Sequence, residues 1–298
     1  MSRPEHIPVL LDESLEMLAV DRPGLYIDCT LGLGGHSLEI LRRNPEAELV
    51  GLDLDEQAIA VAQKRLEPFG GRVTLYLSDY RNLPEIEIDF QRVRGVLLDM
   101  GMSSFQLDSP ERGFSHALDG PLDMRMDLRN KNSAARILEK ASEIKLAQIF
   151  RDYGELRQAR PLARAIASAR RLKPLESTAE LRTLVERVCH WIPQRGKIHP
   201  ASKVFQALRI EVNNELEGQD AFLERTLRLL PPGGRLAAIS FHSLEDRVVK
   251  HTFLRLADKE AALPLIDILT RKPIVPSEDE VARNPRSRSA KLRAAVRR

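Results

Sequence analysis

The chain has few cysteines, no long apolar stretch and no metal-binding spacing among its seven histidines. Only Cys29 and Cys189 are present in 298 residues, far apart in sequence, which argues against a disulfide framework and a thiolate zinc site. No apolar run approaches the roughly 18 residues that span a bilayer. Asp12 and Glu13 interrupt the first apolar stretch, so it does not read as a secretory signal. We therefore expect a cytoplasmic protein with neither a bound metal nor a membrane partner.

The net charge is small, but it is the sum of large charges of opposite sign. The chain carries 46 basic and 43 acidic side chains, a net charge of +3. Counted by segment, the net charge is −9 for residues 1–133, +9 for 134–209, −3 for 210–270 and +6 for 271–298. Contacts between basic side chains and phosphates supply most of the non-specific affinity for nucleic acid. The two basic segments are therefore candidate nucleic-acid-binding surfaces. The alternative is that these cations only solvate exposed helix faces.

The basic tail favours the first interpretation. Residues 284–293 have little apolar content, so we expect this segment to pack poorly in a core and to contact RNA. Its candidate substrate-binding cations are Arg286, Arg288 and Lys291.

Apolar runs and helical patterns alternate along the first hundred residues. The predicted strands are 25–30, 48–52, 73–77 and 93–98, and the predicted helices between them are 36–43 and 56–69. This order predicts an α/β fold with a doubly wound, mostly parallel sheet. Residues 134–190 have helical patterns only, and strand character returns at 235–241. We predict one discontinuous domain, residues 1–110 and 206–298, interrupted by a basic helical insertion over 111–205 that recognises the substrate.

A glycine-rich loop follows the first predicted strand. Gly32, Gly34 and Gly35 allow the backbone to approach a ligand closely, but Ser37 stands where a dinucleotide fingerprint has its third glycine. Asp53 ends the second strand, where an acidic residue commonly binds ribose hydroxyls. These features fit both a nicotinamide cofactor and S-adenosylmethionine (SAM).

Acidic residues at successive strand ends favour the second of these cofactors. They are Asp28, Asp53, Asp79 and Asp99. A carboxylate at Asp28 would repel a pyrophosphate, whereas the ammonium and sulfonium groups of SAM gain from nearby negative charge. Any one of these acids could instead cap a helix or a turn.

Several sequence blocks resemble the bacterial RsmH/MraW family, in the family's order and over nearly the whole chain. The blocks are 6–13, 28–37, 99–108, 112–115, 119–127, 199–209, 240–247 and 284–293. The resemblance implies a class I SAM-dependent methyltransferase fold with an inserted helical domain. It also implies methylation of the N4 amine of a decoding-centre cytidine in 16S rRNA, either naked or within the small ribosomal subunit, and it favours a homodimer.

The resemblance implies the following cofactor-binding residues in this chain: Gly34, Gly35 and His36 in the loop, Asp53 at the ribose, Tyr80 beside the adenine, and Asp99 near the methyl-transfer centre. Gln106 would complete the site. The chain departs from the family pattern at Met100, Met102 and Phe105, all of which are apolar exchanges. Leu156 replaces a commonly acidic residue, which puts any salt-bridging role there in doubt.

The chemistry expected of a cytosine amine suggests further residues. Its nitrogen lone pair is delocalised into the ring, so acceptors for the N4 hydrogens would aid attack. We predict that Asp99 and the Ser240–Ser243 segment form opposite walls of a base pocket, with Asp99, Ser240 and His242 as its catalytic residues. Phe105, Phe114 and Phe241 are candidates to stack on an unstacked base, although each could be a core residue.

Alternative functions remain open on the sequence. The chain could be a NAD-dependent oxidoreductase, a SAM-dependent methyltransferase of another RNA or DNA base, or a ribosome-assembly factor that has kept the SAM fold without turnover.

Overall fold

The computed structural model describes residues 8–194, 197–258 and 264–298. The chain divides into two compact units. One comprises the residues up to Gly101 together with Leu216–Arg298, and the other comprises Met102–Glu215. His6 and Ile7, which open the first family-like block, lie outside the described residues.

The first unit is an α/β unit, and the second is helical. The first part of the α/β unit consists of α1 (Leu11–Leu18), β1 (Gly24–Asp28), α2 (Gly35–Arg43), β2 (Ala47–Asp53), α3 (Glu56–Leu66), β3 (Val73–Leu77) and β4 (Val93–Asp99). The helical unit consists of α4 (Ser104–Asp108), α5 (Ala134–Lys140), α6 (Glu143–Asp152), α7 (Ala159–Ala169), α8 (Thr178–Val188) and α9 (Pro200–Asn213). The chain then returns to the α/β unit with α10 (Gln219–Leu229), β5 (Arg235–Ser240), α11 (Ser243–Leu256), β6 (Ile266–Ile268), α12 (Glu278–Arg283) and β7 (Lys291–Arg297).

The seven strands form one sheet in the order β3-β2-β1-β4-β5-β7-β6. The pairs from β3 through to β5 are parallel, while β7 is antiparallel to both β5 and β6. Strand order reverses between β1 and β4, and ligands of such sheets bind at the carboxyl ends of the strands beside that reversal. The predicted class I methyltransferase fold, with its doubly wound and mostly parallel sheet, is confirmed.

The central strands are apolar on both faces because helices cover both faces of the sheet. In β1, Ile27 packs in one core cluster and Tyr26 in the other. In β4, Val96 and Leu98 point to the first cluster and Leu97 to the second. This two-sided burial explains why these strands read as continuous apolar runs rather than as alternating ones.

The end of the chain packs in the sheet, so the expectation that residues 284–293 would pack poorly is wrong for residues 290–293, whereas residues 284–289 are largely exposed apart from Ser287. Strand β7 lies between β5 and β6, with Leu292 and Ala294 in one core cluster and Ala295 in the other. Small and apolar side chains between the cations are enough to fill both faces of a strand. Arg293, the buried cation of β7, donates to Asp246 Oδ1 at 2.6 Å.

The helical unit has its own core and well-capped helices. Leu138, Phe150 and Leu162 are fully buried in one cluster. The hydroxyls of Ser133, Ser142 and Ser177 cap α5, α6 and α8, respectively. The unit, Met102–Glu215, is longer at both ends than the predicted insertion 111–205. A boundary at residue 205 would divide α9, which is one continuous helix. None of the helices in the described ranges is long and apolar enough to cross a bilayer.

The ion pair of Asp246 with Arg293 leads to a stability prediction. Burial alone would raise the pKa of Asp246, but hydrogen bonds from Arg293 and Lys291 hold it below its usual range. We expect Asp246→Ala to lower the free energy of unfolding by about 3 kcal/mol, because Arg293 stays buried without a counter-charge. Urea denaturation measures this change. Asp267→Ala, which removes the exposed partner of Arg298, is the control and should cost less than about 1 kcal/mol. Equal losses for both variants would contradict the prediction.

Candidate active site

Four neighbouring strands carry acidic side chains where they end. Asp28, Asp53 and Asp99 are the last residues of β1, β2 and β4. Asp79 follows β3 and caps the 3-10 helix Tyr80–Glu85. Because the four strands are adjacent in the sheet, these acids lie along one edge, at the reversal of strand order. The structure thus brings together the acids that the sequence places at strand ends.

The loop between β1 and α2 depends on glycine at more than one position. Gly32 and Gly34 have left-handed backbones, with φ of 51° and 73°. A Cβ on Gly35 would come within 2.6 Å of Pro8 Cγ. The Gly32 N–H donates to Asp53 Oδ2 at 2.7 Å, so this carboxylate also holds the loop in place.

Ser37 has a function that glycine could not supply. Its hydroxyl donates to Asp28 Oδ2 at 2.7 Å, and the Thr30 N–H donates to Oδ1 at 3.2 Å. The serine that breaks the dinucleotide fingerprint therefore orients the carboxylate that disfavours a pyrophosphate there.

Burial makes negative charge costly at three of these acids. Burial raises the pKa of Asp28 and of Asp53 to about 6. It raises the pKa of Asp99 well above its usual range, and the nearby charges of Asp28 and Glu245 add to this shift. Asp79 differs, because it forms an ion pair with Arg81. A cationic ligand would favour the ionised forms of the three unpaired acids.

Asp99 has an oxygen that no neighbour satisfies. Its Oδ1 is buried and has no hydrogen-bond partner among the described residues. Its Oδ2 lies 3.7 Å from His36 Nδ1. His36 Nε2 is 3.0 Å from the Val9 carbonyl, which can only accept, so Nε2 carries the hydrogen and Nδ1 of the neutral ring is free of one. The free carboxylate oxygen is what a ligand with an N–H donor would require.

Tyr80 is held firmly by α10. Its ring meets the edge of Phe222 with 4.7 Å between centroids, and its hydroxyl interacts with the side chain of Gln219. Gln219 is 1% exposed, and its amide nitrogen also contacts Met100 Sδ at 2.8 Å. Sequence reasoning missed Gln219, because no motif links α10 to the distant Tyr80.

The segment after β5 lies beside Asp99, since Asp99 pairs with Ile239 across β4 and β5. The Phe241 ring lies next to Gly101, where an added Cβ would be 3.5 Å from Phe241 Cδ2. Ser240 is buried, and its hydroxyl is 3.3 Å from the carbonyl of Lys291.

His242 and Glu245 form a capping box at the start of α11. The Glu245 carboxylate accepts from the N–H of Phe241 at 2.8 Å and from that of His242 at 3.3 Å. These contacts show that His242 helps to shape the segment, and the catalytic role predicted for it stays a prediction. Sequence reasoning missed Glu245, although its position three residues after a helix-start residue is the signal of a capping box.

Two predicted site residues belong to the helical unit. Gln106 is 4% exposed and forms a capping box with Ser103 at the start of α4. Phe114 is also 4% exposed and packs in the core of that unit, so the prediction that its ring stacks on a base is corrected.

The predicted RNA-binding cations of the tail differ in their surroundings. Arg286 and Arg288 are exposed on the 3-10 helix Pro285–Ser289. Lys291 Nζ lies 3.3 Å from Asp246 Oδ2, and its role as a phosphate contact stays a prediction.

The chain matches the MraW methylase family over residues 3–298. Three relatives named "Ribosomal RNA small subunit methyltransferase H" are similar to it over nearly their whole length. That of Symbiobacterium thermophilum is 47% identical over 306 residues, covering 98% of this chain and 96% of the relative. That of Carboxydothermus hydrogenoformans is 47% identical over 305 residues, covering 97% of each. That of a Cyanothece species is 50% identical over 293 residues, covering 98% of this chain and 94% of the relative.

The raised pKa values of Asp28 and Asp53 predict how cofactor binding varies with pH. Above about pH 6 both carboxylates are ionised and attract a cation, and below it they gain protons and lose that attraction. We therefore expect the affinity for SAM, measured by calorimetry, to fall as the pH is lowered from 7.5 to 5.5. Asp53→Asn should bind weakly at both pH values. An affinity of the unmodified chain that does not change over this range would contradict the prediction.

Proposed function

The chain belongs to the MraW methylase family, and from this premise we propose that it transfers a methyl group from SAM to the exocyclic N4 amine of a cytidine in 16S rRNA. The observation that carries the proposal is the buried, unsatisfied Oδ1 of Asp99, at the sheet edge where Asp28 and Asp53 also end their strands. An acceptor there suits an amine donor, and a group of acids suits a cationic cofactor.

The residues at this edge fit SAM. When bound, the cofactor supplies an electrophilic methyl group on a sulfonium. The family resemblance assigns Gly34, Gly35 and His36 of the glycine loop to the cofactor. The resemblance also assigns Asp53 to the ribose and Tyr80 to the adenine. The Tyr80 ring is pre-positioned by Phe222 and Gln219, so little ordering is left for binding to supply. Asp28, oriented by Ser37, argues against a nicotinamide cofactor at the same loop.

Asp99 would act on the cytosine amine in two ways. As a hydrogen-bond acceptor for an N4 hydrogen, Oδ1 favours the pyramidal form in which the nitrogen lone pair is localised. Its raised pKa makes it a better acceptor for the proton that the amine releases.

The aromatic ring best placed to receive an unstacked base is Phe241. It adjoins Gly101, directly after the strand that ends in Asp99, and it is not fully buried. The capping box of His242 and Glu245 holds the backbone on which this ring is carried. Base-receiving pockets commonly use such an aromatic face.

We further propose that the substrate rRNA lies within the small ribosomal subunit and that the protein works in the cytoplasm, where that subunit is found. The homodimer favoured by the resemblance stays a prediction, which sedimentation of the purified chain tests.

The decisive experiment assays methyl transfer to unmodified small subunits and to naked 16S rRNA, then identifies the product nucleoside by mass spectrometry. We expect N4-methylcytidine at a single position. Methylation of another base would contradict the proposal, and binding of SAM and subunits without transfer would favour an assembly factor.

Replacement of the acceptor sharpens this test. We expect Asp99→Asn to lower the rate of transfer at saturating substrates by about 100-fold or more, because the amide cannot take up the proton. Calorimetry should show that the variant still binds SAM. Asp267→Asn, an exposed acid on β6, is the control and should leave the rate unchanged. Full activity of Asp99→Asn would exclude the proposed role.

A further inference from the structure

The helical unit carries a row of arginines on the exposed side of α7. Arg160 and Arg164 are four residues apart and therefore share one face of the helix. Arg157 lies in the turn before α7 and Arg171 in the turn after it, and all four side chains are exposed. We call these four residues the α7 arginine face.

The apolar side of α7 explains why these arginines face the solvent. Leu162, Ala163 and Ile166 are fully buried in the core of the helical unit, where α7 packs on α6 and α8. The helix is thus strongly two-sided. An apolar side fixes its rotation, and the arginines are left pointing to solvent.

Many other cations of this unit are already engaged. Arg170, next to the α7 arginine face, donates to the carbonyls of Leu138 and Ala141, both at 2.7 Å. Ion pairs engage a further set of cations, namely Arg125, Arg129, Lys145, Arg151, Lys173, Arg182 and Arg209.

The α7 arginine face is different. Within the described part of the chain, no ion pair is found for Arg157, Arg160 or Arg171. Arg164 lies 3.6 Å from Glu143, with its side chain 79% exposed. Much of the positive charge of this segment is therefore engaged within its fold. Among the described residues, Arg136 on α5 and Arg187 on α8 are also exposed and without an ion pair, whereas Arg157, Arg160 and Arg171 lie together along α7.

The chemistry of the face fits a phosphate backbone. Guanidinium groups bind phosphate oxygens through paired N–H donors and remain charged at any physiological pH. The row extends about 20 Å, taken as fourteen residues at about 1.5 Å each. Protein interfaces depend instead on an apolar or aromatic centre, and the exposed apolar side chains along this face are only Pro161 and, directly after Arg171, Leu172.

We propose that the α7 arginine face binds the phosphate backbone of the rRNA substrate without reading its sequence. This inference rests on the proposed function for the identity of the RNA. Contacts of this kind position a nucleic acid, while discrimination between bases is left to the site that receives the target.

The test compares a triple variant with a charge-matched control. Arg160→Gln, Arg164→Gln and Arg171→Gln are combined in one full-length chain. In the control, Arg42→Gln, Arg151→Gln and Arg228→Gln are combined, which removes the same charge from exposed arginines elsewhere. Binding of an unmodified 16S rRNA transcript is measured by fluorescence anisotropy between 50 and about 300 mM salt. Thermal melts check that both variants fold.

We expect the α7 variant to bind the transcript about tenfold more weakly at about 150 mM salt, and the slope of log Kd against log salt to decrease in magnitude by about 2 to 3. Its KM for rRNA should rise while kcat and the affinity for SAM stay unchanged. A variant that behaves like the control would overturn the proposal. Competition by polyglutamate as strong as competition by RNA would also overturn it, in favour of an acidic protein partner. Because binding is read without methyl transfer, failure here is distinguishable from failure of the proposed reaction.

Discussion

The cost of keeping carboxylates out of water governs the candidate site. Asp28, Asp53 and Asp99 end adjacent strands of a sheet that is covered on both faces, and among the described residues no arginine or lysine pairs with them as Arg81 pairs with Asp79. Their ionised forms are therefore destabilised until a cation arrives. Hydrogen bonds from Ser37, Thr30 and Gly32 orient two of these acids without neutralising them. The site favours a positively charged cofactor, because such a cofactor would stabilise the ionised carboxylates.

The remaining elements around the site are arranged to hold its parts still. Phe222 and Gln219 restrain Tyr80, and the Glu245 carboxylate restrains the backbone of Phe241 and His242. Each of these restraints comes from a helix after the insertion, whereas the acids come from strands before it. The α/β unit therefore builds the site from two distant stretches of chain, joined by the pairing of β4 with β5.

Local patterns were enough to predict the centre of the sheet and the acids at its edge. The apolar runs that end in Asp28, Asp53 and Asp99 identify three strands and their order in the chain. Because parallel strands end at the same edge of a sheet, these acids are expected to lie together. Local patterns do not predict which strands pair when the strands are far apart in the sequence. The sequence predicts poor packing over residues 284–293, although residues 291–293 begin strand β7, because the cations there outweigh Leu292 in any local count. It also predicts that Phe114 stacks on a base, because its neighbours in sequence form a family-like block, while its burial depends on helices far along the chain.

The insertion between β4 and β5 also bears on the order in which the protein folds. Asp99 pairs with Ile239, so this contact closes a loop that contains the whole helical unit. Closing a flexible loop of about 140 residues costs about 4 kcal/mol of chain entropy. A helical unit that becomes compact first shortens the loop that is still flexible, since its own contacts are closer in sequence. The pairing that completes the sheet is then a late event, and the candidate site is assembled only when it has taken place.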